Sequence, residues 1–289
     1  MPPRNYPLRI CFDRVIPASN NPQKAAAQKA ALSNYASVVK ANLGAPKNAA
    51  FNEQIAKIGN LHNLSANDPV HVARMALINQ KKWDNGFNLR CRFLDGDNTQ
   101  KDTVIQKAKI WEQFANIHID FGEDADAEVR ISFVADPGSW SAIGKDALDS
   151  SFFAVDQPTM NFGWLQDDTE DEEYERVVVH EFGHALGCIH EHQSPTEKLD
   201  WDKDAVYRVF SGPPNNWSRD EIDQNILEKY SPEGLSATAF DMDSIMLYQF
   251  DPSLFLDHQA TPLNTHLSAG DKKMIARMYP GAGAAAKTA

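Results

Sequence analysis

Two stretches, IHIDF (117–121) and VRISFV (129–134), alternate apolar with polar residues, the period of a half-buried strand. LRICF (8–12) and FNLRCRFL (87–94) also read as strands, and GSWSAIG (138–144) and TMNFGW (159–164) as shorter ones bounded by Gly and Pro. Helical spacing takes over between them. Val104, Ala108, Trp111 and Ala115 fall on one stripe and predict a helix over about 101–115. Asn21-Pro22 opens an Ala-rich helix that stops near Leu43-Gly44, with Asn as cap and Pro at the first helical position. Asp68-Pro69 opens another, running to about Trp83, and a last helix from about Ser268 to Tyr279 stops at Pro280-Gly281. The acidic run 167–175 directly precedes a helix, where carboxylates complement the positive end of the helix dipole. Strands and helices mixed in this way predict an α+β fold. The expected organisation is a mostly helical N-terminal extension (1–66), a main domain (67–280) and a flexible tail (281–289).

The helix after the acidic run reads VVVHEFGHALGCIHEH (177–192). His180 and His184 are four apart, so both imidazoles leave one face a turn apart and can reach one metal at ~2.0–2.1 Å. Glu181 projects beside that metal, placed to accept a proton from water. Gly187 is the expected helix stop, because the residue there needs positive φ. The reversed chain can then return His190 as a third ligand. Three protein ligands leave one position open, which distinguishes a catalytic from a structural zinc site. A lone histidine on an apolar helix is commonly a core residue; five residues held at fixed spacing are not explained that way.

Charge narrows the field. With 28 Lys+Arg against 40 Asp+Glu, the formal net charge is −12. That balance disfavours a nucleic-acid partner or an anionic membrane surface. The first residues, MPPRNYPLRICFD, lack the basic and apolar regions of a secretory signal, so a cytoplasmic or non-classically secreted protein is expected. Separately, a monomer is favoured. Three cysteines allow one disulfide at most, and reduced buried thiols are the simpler expectation.

HEFGHALGCIH matches the HExxHxxGxxH signature of the metzincin zinc endopeptidases, and Glu191 after the third histidine is as in the astacin-like branch. DSIMLY (243–248) resembles that branch's Met-turn. The resemblance spans about residues 67–280 and implies a metzincin fold: a twisted mixed sheet, an active-site helix, and a C-terminal subdomain after the third histidine. It implies one catalytic Zn²⁺ on His180, His184 and His190, with Glu181 as general base and protein or peptide substrates. It also implies Met246 as the apolar floor, Tyr248 as an oxyanion donor and possible additional ligand, and supporting roles for Gly187 and Glu191. By the same resemblance an extracellular location stays open. Strand 138–144 corresponds to the exposed edge that would pair with an extended peptide.

Some features depart from the resemblance. Astacins usually carry two disulfides, which three cysteines cannot supply. Glu191, which in astacins meets the mature N-terminus, needs another partner if 66 residues precede the domain. FLDGD (93–97) faintly resembles the inhibitory Asp of astacin propeptides but reads more simply as a β-turn. The segment after the Met-turn (249–271) holds no Lys or Arg. Phe250, Leu254, Phe255 and Leu256 would give the pocket after the scissile bond neutral walls. The readings from other classes are a non-catalytic zinc-containing binding protein on the same fold and a zinc exopeptidase.

Overall fold

The computed structural model describes residues 12–14, 81–135, 138–150, 153–212, 215–229 and 239–281. The expected helices over 21–44 and 68–83 and the tail fall outside these residues, apart from the end of the second. Of the predicted strand 8–12, only Phe12 is described. It opens β1 (Phe12–Arg14).

The sheet runs in the order β1-β5-β6-β4-β2-β3, with β2 Asn88–Phe93, β3 His118–Phe121, β4 Val129–Ser132, β5 Ser139–Ala142 and β6 Met160–Phe162. β5 is antiparallel to β6; every other pair is parallel. This is the mixed sheet expected of the fold, and all five strands predicted after residue 80 are present. The expectation of a free edge at 138–144 is overturned. Phe12, Asp13 and Arg14 pair with Trp140, Ser141 and Ala142, so β1 takes the outer edge of β5 over three residues.

The helix predicted from 101 begins earlier, as α1 Asn98–Ala108. Asp97 accepts the Gln100 N–H, and the Gln100 side chain answers to the Asp97 N–H, a capping box that fixes the start. Gly96 beside it takes φ 93°, and Asp95 accepts from Ser132 Oγ and the Phe133 N–H, so FLDGD bends the chain at the end of β2, without the hydrogen bond of the expected β-turn. After α1 the chain tightens into a single 3-10 turn, Trp111–Gln113. The predicted stripe survives that change, with Val104, Ala108, Trp111 and Ala115 all buried.

α2 (Asp171–Ala185) is the central element. Asp171, Glu172 and Glu173 occupy its first turn, as the acidic run predicted, and Lys107 of α1 reaches Asp171 at 2.7 Å and Glu175 at 3.1 Å. Its C-terminus is buried, where unsatisfied carbonyls would cost about 1–3 kcal/mol each. They are not left unsatisfied. Cys188 N–H donates to Gly183 and Gly187 N–H to His184, a Schellman turn with Gly187 at φ 96°. Trp83 Nε1 donates to the Ala185 carbonyl and the Tyr279 hydroxyl to that of Leu186, each at 2.7 Å. Residues from both ends of the domain thus close the helix.

Beyond α2, α3 (Lys203–Phe210), α4 (Arg219–Ile222) and the loop 248–255 build a second core from Val206, Phe210, Ile222, Ile226, Tyr248, Phe250, Leu254 and Phe255. Trp201 and Phe255 form an antiparallel bridge across it. α5 (Ala269–Met278) then returns to the first core through Ile275 and Tyr279. Among the described residues no helix is long and apolar enough to cross a membrane.

Candidate active site

The site forms where α2 ends and two loops come back over it. His180 and His184 lie on one face of α2 with their Nε2 atoms 3.1 Å apart. The Schellman turn reverses the chain, and His190 returns its Nε2 to 3.3 Å from that of His180 and 3.1 Å from that of His184. Three ligands on a tetrahedral ion at ~2.0–2.1 Å stand about 3.3–3.4 Å apart, so the three nitrogens fit one zinc.

Protonation supports the same fit. His180 Nδ1 lies 2.7 Å from the Ile245 carbonyl and His184 Nδ1 2.9 Å from the Cys188 carbonyl. A carbonyl only accepts, so each Nδ1 carries the hydrogen and each Nε2 turns a lone pair toward the others. Burial, reinforced by the neighbouring His184 and His190, holds the His180 pKa well below the ordinary histidine value, favouring the neutral ligand form. The turn made by Gly187 therefore does two things: it brings back His190 and presents the Cys188 carbonyl to His184.

Glu181, one residue after the first histidine, is fully buried. Tyr248 stacks beside the triad, its ring centroid 4.2 Å from that of His190 and 5.4 Å from that of His180. The Tyr248 carbonyl accepts from Thr261 Oγ1 at 2.5 Å, which ties this end of the loop to residue 261. Met246 is buried, and its carbonyl accepts the Glu191 N–H at 3.0 Å, joining the two returning loops next to His190. Glu191 has the alternative partner that the long N-terminal segment called for: its Oε1 accepts the Asp241 N–H at 2.9 Å. Burial pushes the Glu191 pKa up to about 7, opposed by that bond.

His180, His184, His190 and Tyr248 come together here, and Glu181, Gly187, Glu191 and Met246 lie on the helix, turn and loops that carry them. One expected feature does not join them. Phe250, Leu254 and Phe255 are buried in the second core rather than offered as pocket walls, and only Leu256 of that group is exposed. The neutral-pocket expectation then rests on the missing cations of 249–271 alone.

Sequence reasoning passed over Gly183. A Cβ there would sit 2.5 Å from Met246 Sδ and 3.2 Å from the Trp111 ring, so the Met-turn reaches α2 only over a glycine. The glycine inside HEFGH was the available signal, since glycine in a helix interior is unfavourable without such a reason.

Comparisons with known proteins agree with this geometry. The family model described as Astacin, a peptidase family, matches residues 75–279. Similar solved structures include the following two. "Structure of myroilysin" has 39% identity and a TM-score of 0.68, covering 71% of this chain and 98% of that one. "Crystal structure of myroilysin" has 38% identity and a TM-score of 0.55, covering 70% and 86%. A search of curated proteins finds no match. A family match over most of the chain, on a fold whose three buried histidines can share one zinc, places this protein in the astacin family of zinc metallopeptidases.

Proposed function

We propose that the protein is an endopeptidase that hydrolyses internal peptide bonds, with His180, His184 and His190 as its zinc ligands and Glu181 as its general base. The observation that carries the reading is the convergence of three buried histidine Nε2 atoms, two of them turned to the site as lone pairs by Nδ1–H bonds to main-chain carbonyls, with a buried glutamate on the helix that carries His180 and His184. Zinc in such a site supplies Lewis acidity, polarising a carbonyl and acidifying water. The chain's own residues do the rest. Glu181 takes a proton from the attacking water and returns it to the leaving amine nitrogen, one carboxylate serving both transfers. The phenol of Tyr248 donates to the oxyanion that develops on the carbonyl. An extended peptide would be held along β5 by backbone hydrogen bonds only when β1 leaves that edge.

A peptide with both ends chemically blocked and a fluorophore quenched across its middle tests this reading. An endopeptidase cuts it; an exopeptidase or a non-catalytic zinc protein leaves it intact. Tyr248→Phe should retain zinc and lower kcat by about 10²–10³-fold, the range for one oxyanion donor. Unchanged kcat in that variant would reduce Tyr248 to a packing residue.

The pairing of β1 with β5 bears on access. β1 uses backbone groups on the same edge that a substrate strand would need, so the two compete. Deleting residues 1–16 should therefore raise kcat/KM on the blocked peptide, chiefly by lowering KM. An unchanged KM would separate β1 from substrate binding.

A further inference from the structure

Behind His180 lies a buried chain of hydrogen bonds that ends on a carboxylate far away in sequence. Ile245 and Met246 share one peptide unit. Its carbonyl accepts the His180 Nδ1–H at 2.7 Å, and its N–H, on Met246, donates to Ser244 Oγ at 3.1 Å. Ser244 Oγ stands 2.6 Å from Asp271 Oδ1. The hydroxyl has no freedom of direction here. Met246 N–H can only donate to it, so the hydroxyl hydrogen goes to Asp271. Asp271, 3% exposed, takes two further donors on Oδ2, the N–H groups of Ile245 at 2.8 Å and Ser268 at 2.9 Å. Burial raises the Asp271 pKa above the ordinary carboxylate value, and these bonds oppose the rise. Three donors and no acceptor suit an anion.

We propose that Asp271 is a positioning residue for the zinc site, acting through Ser244 and the Ile245–Met246 peptide to strengthen His180 as a ligand. Every hydrogen bond in the chain points the same way, from the imidazole to the charge. Bonds aligned in that sense polarise one another, and the effect is larger away from water. Each unit on this path is buried. The Ile245 carbonyl is thereby a better acceptor than an ordinary main-chain carbonyl, and it draws the Nδ1 hydrogen and leaves Nε2 more basic. Carboxylates bonded directly to a ligating histidine act in this way; here a hydroxyl and a peptide stand between. The capping box of α5 puts Asp271 in place, since Ser268 Oγ accepts the Asp271 N–H while Asp271 accepts that of Ser268. One aspartate thus starts the last helix and finishes the metal site.

This inference rests on His180 being a ligand, and the test separates the two. Zinc affinity is measured on the full chain by competition with a chromophoric chelator, and cobalt is substituted to record its visible d–d bands. Ser244→Ala interrupts the path while leaving both Oδ2 bonds of Asp271 in place. It should weaken zinc binding by about 10-fold, the lower end of the 10–100-fold typical of groups that orient ligands, and should shift the cobalt bands. Asp271→Asn removes the charge and should do at least as much. Ser132→Ala is the control, a buried hydroxyl bonded to Asp95 away from the site, and should leave both readouts unchanged. Wild-type affinity and spectrum in both Ser244→Ala and Asp271→Asn would overturn the relay. So would equal weakening in Ser132→Ala, which would make the effect one of general stability. Failure of the wild-type chain to bind zinc would instead remove the ligand assignment beneath it.

Discussion

Glu181→Ala is expected to keep its zinc and its fold and to lose about 10²–10⁴-fold in kcat, the range attributed to a general acid–base group. The upper end is the expectation here, because the same carboxylate serves the attacking water and the departing amine. Its position supports the separation of effects. Glu181 leaves α2 next to His180 but is not one of the three groups whose donor atoms converge. Removing it therefore takes away the proton carrier and no ligand. Metal analysis by mass spectrometry alongside turnover checks both halves. Loss of zinc together with activity would move Glu181 from base to structural support of the ligands.

His190→Ala should have the opposite signature, an empty site. Two histidines would remain on α2, and the ligand that closes the site from the returning loop would be gone. Zinc bound to the folded state alone stabilises it by about 4 kcal/mol when free zinc is 1,000 times the dissociation constant. For a domain of this size each kcal/mol shifts Tm by about 2–4 °C. Calorimetry with and without excess zinc should therefore show a zinc-dependent rise in Tm of roughly 10 °C for the wild type and almost none for His190→Ala. An undiminished zinc response in the variant would require a different third ligand.

The helix–turn–loop that makes the metal site was the most legible part of the chain. His180, His184, Gly187 and His190 are near neighbours in sequence, so helix geometry and one positive-φ residue suffice to place them. The strands after residue 80 were legible for a similar reason, since alternation in two of them and Gly and Pro boundaries around two others are local signals. The boundary of α1 was not, because the capping box Asp97–Gln100 begins before the apolar stripe. What escaped altogether depends on contacts between distant segments. Trp83 and Tyr279 close α2 from opposite ends of the domain, and nothing local to either residue announces it. β1 on the edge of β5 is a pairing of the same kind. Phe250, Leu254 and Phe255 were recognised as apolar, but composition cannot tell the wall of a pocket from the core of a lobe. Asp271 falls in the first turn of a helix whose start near Ser268 was legible, but its partner Ser244 lies in another loop, so the link to the metal site was not.

The most direct test of the central claim is a mass-spectrometric map of the peptides released from unfolded casein by the wild-type protein, by the protein after chelation, and by the chelated protein given back one equivalent of zinc. The account predicts new termini within the casein chains, their disappearance on chelation, and their return at the same bonds with zinc. Release confined to single residues or short peptides from the casein ends, or internal cuts that persist after the metal is removed, would contradict it.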